Sequence, residues 1–282
     1  MNGVKLIGVD IGGTKMNTCR IEQGKIIDQN IIKTPARESK EYVLESLAES
    51  IKSLLKPDVK GIGIGVPGMV DPDRGIVKQV QNIPSWKEVH LKQFLEEKFH
   101  IPVFVNNDAN CFVAGEKYFG LGQKFHHFLG ITLGTGLGGG IIIHDTLYNG
   151  LGNGAGEIGY LPYKDSIFEH YCSSQFFAKF HQTTGLEVYN RVLQGDADAQ
   201  DLMNEFGFHI GELIKQICNV LAPEAVILGG SISKSFSAFE KSMWQNIRTF
   251  PFPSVIKNLK VLPSNADDIS VLGAAALYYN SL

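Results

Sequence analysis

The stretch Val9-Asp10-Ile11-Gly12-Gly13-Thr14 joins two apolar runs through a glycine-rich turn, and Ile131-Thr132-Leu133-Gly134-Thr135-Gly136 repeats this pattern later in the chain. Hairpin turns are expected after them, near Glu22-Gln23-Gly24 and near His144-Asp145-Thr146. They keep the same offset, because 132 − 10 and 144 − 22 both equal 122. Two matching strand-turn-strand segments predict a duplicated fold with two phosphate-binding turns.

Both turns have the chemistry that a phosphate group needs. Glycine lacks a Cβ, so the backbone N–H groups of a tight turn can point at an anion. Thr14 and Thr135 add hydroxyl donors, and Asp10 at the end of an apolar strand offers a carboxylate for a hydrated Mg²⁺ ion. Either turn alone could be an ordinary β-hairpin turn. The pair favours phosphate binding.

The size and composition of the chain are typical of a globular protein. Its 282 residues suggest about two domains with buried cores. The hydrophobic fraction is 44% and the charged fraction is 20%. A net charge of −3 gives no electrostatic basis for binding nucleic acid or an anionic membrane. We therefore expect neither partner.

No segment has the pattern of a targeting or membrane-spanning element. Residues 4–9 form a buried-strand pattern without the basic region and cleavage site of a signal peptide. No stretch approaches the roughly 18 apolar residues of a membrane span. The cysteines lack CxxC spacing and indicate neither a disulfide framework nor a thiolate zinc site; they are Cys19, Cys111, Cys172 and Cys218. These features predict a cytoplasmic protein.

Alternating strand and helix patterns predict an α/β protein. The predicted strands are 6–9, 18–21, 26–32, 61–66, 103–105, 126–133, 138–143 and 225–228. The predicted helices are 44–55, 91–99, 202–221 and 271–277. No low-complexity linker interrupts the chain, so we predict two packed domains with a hinge near residue 118. A cleft between two domains is the expected place for a ligand.

The order and spacing of several motifs make the chain similar to the ROK family of sugar kinases and repressors. The motifs are Asp10-Ile11-Gly12-Gly13-Thr14-Lys15, Gly65-Val66-Pro67-Gly68, Asn82-Ile83-Pro84-Ser85-Trp86, Asn106-Asn107-Asp108-Ala109-Asn110, Leu133-Gly134-Thr135-Gly136, Gly154-Ala155-Gly156-Glu157-Ile158-Gly159 and Gly229-Gly230-Ser231. The resemblance covers nearly the whole chain. It implies an α/β fold with two ribonuclease-H-like domains of the actin-like ATPase type, flanking a cleft.

This resemblance also implies a domain organisation. We predict a small domain from residues 1–118 and a C-terminal helix at 270–282, and a large domain from residues 119–269. Family members are commonly homodimers. Repressor members carry an N-terminal helix-turn-helix domain, and because Asp10 stands ten residues from the start, we expect none here.

The resemblance implies an ATP-dependent sugar kinase with Asp108 as the base that accepts the proton of the attacking sugar hydroxyl. Asp108 follows a predicted strand and precedes a helical run, whose N–H groups we expect to keep its carboxylate ionised. A plain helix N-cap is the alternative role. Asn107 can both donate to and accept from vicinal hydroxyls, which suits a hexose.

Further site residues follow from the same resemblance. The implied sugar-binding residues are Gly68, Asn82, Asn107, Asp108, Glu157, Tyr160 and Glu169. The implied nucleotide-binding residues are Asp10, Gly12, Gly13, Thr14, Lys15, Gly134, Thr135, Gly136, Gly229 and Gly230, with Mg²⁺ held by Asp10 through water. Glu157 and Glu169 could each be a solvated surface acid instead.

The chain departs from the family pattern between Glu157 and Glu169. Family members follow the first acid with a histidine and then with a cysteine-rich zinc hairpin. Here Tyr160 replaces the histidine, and the 12 positions from Glu157 to Glu169 contain no cysteine. We therefore expect no structural zinc, and packing roles for His170 and Cys172. Tyr160 either contacts the sugar or packs in its loop, away from the cleft.

Together these features predict phosphorylation of a hexose, at the 6-hydroxyl, with glucose as the first candidate. The alternatives are a kinase for an N-acetylhexosamine, mannose or fructose, and a sugar or nucleotide sensor without catalysis. An Hsp70-like or actin-like module is a third class, but it has no use for the Asn107, Asp108 and Glu157 set. The four acids Asp10, Asp108, Glu157 and Glu169 favour the enzyme.

Overall fold

The computed structural model describes residues 3–80 and 82–281. Contacts within the chain divide it into two compact units. Unit 1 comprises the described residues of Met1–Lys124, Asp145–Ala155 and Ala266–Leu282. Unit 2 comprises Phe125–His144 and Gly156–Asn265. Each unit has its own mixed β-sheet.

The described residues form strands and helices in alternation. The strands are β1 (Lys5–Ile11), β2 (Lys15–Glu22), β3 (Lys25–Lys33), β4 (Val59–Val66), β5 (Met69–Asp71), β6 (Ile76–Lys78), β7 (Glu88–His90), β8 (Val103–Asn107), β9 (Phe128–Leu133), β10 (Leu137–Ile143), β11 (Thr146–Leu147), β12 (Pro162–Tyr163), β13 (Ser166–Ile167), β14 (Ala225–Gly229) and β15 (Lys260–Pro263). The helices are α1 (Lys40–Leu54), α2 (Leu91–Phe99), α3 (Asp108–Phe119), α4 (Phe168–Cys172), α5 (Gly185–Leu193), α6 (Ala197–Val220), α7 (Phe236–Ile247), α8 (Pro253–Ile256) and α9 (Ile269–Asn280). Each predicted strand and helix is present, with ends shifted by a few residues.

The sheets of the two units share one pattern of strand pairing. In unit 1 the order is β3-β2-β1-β4-β8, with β1 antiparallel to β2 and parallel to β4, and β4 parallel to β8. In unit 2 the order β10-β9-β14-β15 repeats one antiparallel and two parallel pairings. The predicted duplication and the α/β class are confirmed.

The second glycine-rich turn is one residue shorter than the first. Asp10 pairs with Asn17 across the first hairpin, seven positions on, whereas Thr132 pairs with Gly138, six positions on. The next hairpin turns have positive φ at Gln23 and Gly24 and at His144 and Asp145, an offset of 121. The constant offset of 122 was therefore wrong beyond the glycine-rich turn, because the register slips by one residue there.

Helix α9 packs closely on the sheet of unit 1 because small residues face each other. A Cβ added to Gly63 on β4 would lie 1.7 Å from the carbonyl oxygen of Ala274 on α9. Leu6, Ile7 and Val9 of β1 are buried in the same unit. The close packing of α9 fixes the strands whose carboxyl ends carry the predicted site residues.

A small antiparallel sheet, in the order β5-β6-β7, was not predicted from the sequence. Its strands are three residues long, too short for a recognisable alternation of apolar and polar residues. Gly68 directly precedes β5, and Asn82 lies between β6 and β7. This sheet therefore positions two predicted sugar-binding residues.

Among the described residues, no helix combines the length and apolar character needed to cross a bilayer.

Candidate active site

The buried residue Thr34 holds the glycine-rich turn of unit 1 through two hydrogen bonds. Gly12 donates its N–H to the carbonyl of Lys15 at 2.8 Å and so closes the turn. The Thr34 hydroxyl donates to the carbonyl of Gly12 at 2.6 Å, and the Thr34 N–H donates to the carbonyl of Thr14 at 3.0 Å. Thr14 and Lys15 remain exposed. No motif marks Thr34, so sequence reasoning missed it.

Two other predicted residues of unit 1 lie in neighbouring loops. Gly13 contacts Asn82 so closely that a Cβ on Gly13 would lie 2.6 Å from the Asn82 Cβ. Gly68 donates its N–H to the Val66 carbonyl at 3.0 Å, in a turn directly after β4. Asn82 is exposed. The structure thus brings Asn82 to the phosphate-binding turn.

Asp10 is a partly buried carboxylate in an acidic environment. Its pKa is raised from 3.8 to about 6. Loss of hydration is the largest cause, the carboxylates of Asp108 and Asp268 act in the same direction, and Lys15 opposes them. A hard divalent cation relieves such uncompensated negative charge and prefers oxygen ligands. Asp10 therefore fits the predicted role of holding hydrated Mg²⁺.

Asp108 is the first residue of helix α3, and its neighbour Asn107 is the N-cap. The Asn107 side chain accepts the N–H of Asn110 at 2.7 Å, so the capping role belongs to Asn107 rather than Asp108. Asp108 accepts the N–H of Ala109 at 2.8 Å and remains accessible to solvent. This arrangement leaves the Asp108 carboxylate available to a substrate.

The helix N–H groups expected to keep the Asp108 carboxylate ionised do bond to it, but they are not the largest influence on its pKa. Surrounding protein removes much of the hydration of the carboxylate and raises its pKa, and this effect exceeds the opposing effect of the backbone N–H bonds of Ala109 and of Asp108 itself. A raised pKa brings a carboxylate closer to the working pH that is best for a general base.

Four asparagines fix the first turn of α3. The Asn106 Oδ1 accepts from Asn107 N–H at 2.8 Å, from Asn110 Nδ2 at 2.9 Å and from Asn153 Nδ2 at 3.1 Å. Asn106 Nδ2 donates to Asn149 Oδ1 at 3.0 Å, and Asn110 Nδ2 donates to Asn153 Oδ1 at 2.9 Å. This largely buried cluster connects residues 145–155 to the start of helix α3, where Asp108 lies. Asn106 and Asn110 belong to a recognised motif, but no local pattern indicates that they contact Asn149 and Asn153, which lie 43 to 47 positions from their partners.

The glycine-rich turn of unit 2 offers open space for an anion. Gly134 donates its N–H to the carbonyl of Gly136 at 3.1 Å, and Ser174 donates its N–H to the carbonyl of Gly134 at 2.8 Å. Apart from its two chain neighbours, no described residue has a heavy atom within 4 Å of where a Cβ on Gly134 would stand, and Thr135 is exposed. These features fit a phosphate group.

Glu169 lies against this second turn. Its Oε2 accepts the Leu137 N–H at 3.0 Å, and its Oε1 accepts from Gln175 Nε2 at 3.0 Å. The side chain is half-buried. Glu169 is therefore not a solvated surface acid, and the structure assigns it contacts that the sequence did not indicate.

The loop that carries Glu157 lies on strand β10. Gly156 has a φ of +90°, and a Cβ there would lie 2.4 Å from the carbonyl oxygen of Gly139. Tyr160 donates its N–H to the Glu157 carbonyl at 3.2 Å. Glu157 is exposed, and the Tyr160 side chain is 65% exposed rather than packed within the loop.

The predicted adenosine segment follows β14 and lies beside the second turn. Gly229 ends β14 and pairs with Thr132 of β9. Gly230 has a φ of +83°, and a Cβ there would lie 2.3 Å from the Leu133 carbonyl oxygen. Unit 2 thus brings together Gly134, Thr135, Gly136, Glu169, Gly229 and Gly230.

The segment between the two acids is packed by aromatic side chains. Tyr163 stacks on Phe168 with ring centroids 4.2 Å apart, and its hydroxyl hydrogen-bonds to His209 Nδ1 at 2.9 Å. Cys172 is buried, and His170 Nδ1 hydrogen-bonds to the Ser166 hydroxyl at 2.6 Å. Within residues 3–80 and 82–281, no three or more His, Cys, Asp or Glu side chains are grouped to hold a metal ion.

The sequence matches the ROK family over residues 6–281. The chain belongs to the ROK family. Solved ROK sugar kinases have the actin-like ATPase fold, which confirms the predicted fold.

Three relatives show the range of the family. A glucokinase of Thermotoga maritima is 29% identical over 310 residues that cover 98% of each chain. A ROK family glucokinase from Streptomyces griseus, solved in complex with glucose and AMPPNP, is 28% identical with a TM-score of 0.80, over 97% of this chain and 98% of that one. A xylose repressor of Bacillus subtilis is 27% identical over 92% of this ROK chain and 72% of the repressor.

The raised pKa of Asp10 predicts a pH-dependent gain in stability for Asp10→Asn. The pKa of Asp10 is about 6 in the folded chain, against an ordinary value of 3.8. Ionisation of Asp10 therefore lowers the free energy of unfolding as the pH rises through this interval. Since Asn does not ionise, the variant should be more stable than the wild type at pH 8. The gain should be about 1 kcal/mol, reduced from the full value because the side chain is partly exposed.

Urea unfolding in buffer without Mg²⁺ and nucleotide measures this gain at pH 8 and at pH 4.5. The gain should largely vanish at the lower pH. An equal gain at both values would show that the amide acts through packing rather than through the charge of Asp10.

Proposed function

We propose that this ROK chain is an ATP-dependent hexose kinase that phosphorylates the 6-hydroxyl, with glucose as the first candidate substrate. The observation that carries the proposal is Asp108, an accessible carboxylate with a raised pKa, fixed at the start of α3 by Asn107 and the asparagine cluster. The similarity to two glucokinases supports it.

In this proposal Asp108 accepts the proton of the attacking hydroxyl. Its Oδ1 is oriented by the Ala109 N–H, which leaves lone pairs for the substrate. Asn107 uses its Oδ1 to cap α3, so its amide N–H groups are the part that donates to a neighbouring sugar hydroxyl. General-base catalysis of this kind contributes about 10²–10⁴-fold to a rate.

Further residues are proposed to select the sugar. The carboxylates of Glu157 and Glu169 accept hydrogen bonds from the remaining sugar hydroxyls, and the Tyr160 hydroxyl donates to or accepts from them. Gly68 and Asn82 lie in the loops around the small β5-β6-β7 sheet and complete the proposed set. The exposed ring of Tyr160 supports a role in sugar contact.

The two glycine-rich turns are proposed to hold the phosphates of ATP. The residues are Gly12, Gly13, Thr14 and Lys15 in unit 1 and Gly134, Thr135 and Gly136 in unit 2, with Gly229 and Gly230 beside the adenosine. Mg²⁺, held by Asp10 through water, would neutralise charge on the phosphates. Lys15 is exposed and can donate to a phosphate oxygen.

A sugar sensor without catalysis is the second candidate, and the similarity to a xylose repressor favours it. A sensor needs the sugar-binding residues but has no use for a base placed at a transferable hydroxyl. The two functions are therefore distinguished by turnover, not by binding.

We expect ATP-dependent turnover with at least one hexose. An ADP-release assay with glucose, mannose, fructose and N-acetylhexosamines measures it, in parallel with calorimetric binding of each sugar. Binding of a sugar without ADP release above the ATP-only control would favour the sensor. If the chain neither binds nor phosphorylates any of these sugars, both the kinase and the sensor are refuted.

Asp108→Asn should lower kcat about 10²–10⁴-fold and leave the Kd of the sugar within about threefold, because the amide keeps the shape of the carboxylate but accepts no proton. The matched control is Asp28→Asn on β3, which removes the same charge from an exposed position in the same unit. A variant that retains more than about a tenth of the wild-type kcat would exclude Asp108 as the base.

A further inference from the structure

Residues 169–175 form a bracket around the second glycine-rich turn. Besides the bond from Leu137 N–H to Glu169, Ser174 donates its N–H to the Gly134 carbonyl at 2.8 Å. The Ser174 hydroxyl also lies 3.5 Å from the Thr135 carbonyl oxygen. The turn is therefore held at both ends by one short segment that begins with Glu169.

The bracket is rigid because its members also bond to one another. Gln175 donates its side-chain amide to Glu169 Oε1 at 3.0 Å, and the Ser173 hydroxyl donates to the Glu169 carbonyl at 2.6 Å. The Gln175 N–H donates to the Ser173 hydroxyl at 3.2 Å. A change in the position of the Glu169 side chain is thus transmitted to the turn rather than absorbed by the segment.

The contact between Glu169 and the turn depends on the absence of a side chain at Gly136. A Cβ on Gly136 would lie 2.7 Å from Glu169 Oε2, so an alanine there would displace the carboxylate from the Leu137 N–H. The Cβ of an alanine at Gly134, two residues earlier, would meet no heavy atom of the described residues within 4 Å, apart from its two chain neighbours. The two glycines of one turn therefore offer a matched pair of substitutions.

Glu169 retains capacity for a ligand. A carboxylate has about four lone-pair sites, and the Leu137 N–H and the Gln175 amide occupy one on each oxygen. A sugar hydroxyl that donates to a free site forms a charge-assisted hydrogen bond and fixes the orientation of the carboxylate. Such a bond would be made by the same side chain that holds the phosphate-binding turn.

We propose that Glu169 couples the two substrates: a hexose bound to its carboxylate stabilises the Gly134–Gly136 turn and so raises the affinity for the nucleotide. This inference rests on the proposed function, because it takes a hexose and a nucleoside triphosphate as the ligands. It goes beyond sugar recognition by making Glu169 a positioning residue for the phosphate-binding turn.

Calorimetry with Mg²⁺ and the non-hydrolysable AMPPNP, with and without a saturating hexose, tests the coupling. The hexose is the one with the highest kcat/KM in the ADP-release assay. In the wild type the sugar should lower the Kd of AMPPNP about fivefold or more, and AMPPNP should lower the Kd of the sugar by the same factor. The coupling ratio is the Kd of AMPPNP without sugar divided by its Kd with sugar. Gly136→Ala should bring this ratio to within about twofold of one, whereas the control Gly134→Ala should keep the wild-type ratio.

The ratio separates coupling from a merely structural role, which would weaken AMPPNP binding equally with and without sugar. A second variant, Gln175→Met, removes the amide that orients Glu169 without adding bulk to the turn, and it should lower the ratio at least about twofold. A wild-type ratio of one overturns the proposal. It is also overturned if Gln175→Met keeps the wild-type ratio and Gly136→Ala either keeps that ratio or misfolds. Absence of sugar binding by the wild type would instead refute the proposed function, and this inference with it.

Discussion

The positions of the two glycine-rich turns depend on the parallel pairing of β1 with β4 in unit 1 and of β9 with β14 in unit 2. This pairing sets the first strand of each hairpin inside a sheet, so the turn that follows opens at the carboxyl ends of the parallel strands, where ligands bind. The backbone groups of that turn then need partners from elsewhere. Thr34 supplies them in unit 1, and Glu169 and Ser174 supply them in unit 2.

Loss of hydration is the main cause of the raised pKa values of Asp10 and Asp108, and the geometry of the sheet adds a charge effect at Asp10. Asp10 lies near the carboxyl end of β1, and Asp108 directly follows β8, two strands of one sheet that are separated by β4. They are close enough for the charge of Asp108 to raise the pKa of Asp10. This repulsion lowers the stability of the folded chain at neutral pH. A protein retains such a cost where charge is needed for function, and bound cations offset it.

Local patterns made much of the fold predictable from the sequence. The hairpin of β1 and β2, helix α6 and the apolar strand β14 all have clear periodicity. The repeated glycine-rich turns predicted a duplication, and the resemblance to the ROK family supplied the architecture. The three-residue strands β5, β6 and β7 lack that periodicity. The one-residue slip in the second turn could not be found either, because glycine-rich sequence fits turns of both lengths.

The candidate site was less predictable because its supports are long-range side-chain contacts. Asn110 and Asn153 are 43 positions apart, and Leu137 and Glu169 are 32 positions apart. The motif identified Asp108, but only the structure shows that Asn107 takes the capping role and that lost hydration outweighs the helix N–H bonds. The division of the chain at residues 145–155 likewise has no local signal, since these residues join unit 1 through contacts such as that between Asn106 and Asn149.

In the proposed reaction, Asp108 acts on the hydroxyl that receives the phosphoryl group. A crystal structure of the chain with glucose and AMPPNP measures this most directly, through the distance from the Asp108 carboxylate to the 6-hydroxyl oxygen. If Asp108 is the base, this distance should be about 2.6–3.2 Å, the range within which a general base accepts a proton. Bound glucose with its 6-hydroxyl directed to another side chain, and with Asp108 out of reach of every hydroxyl, would contradict this role.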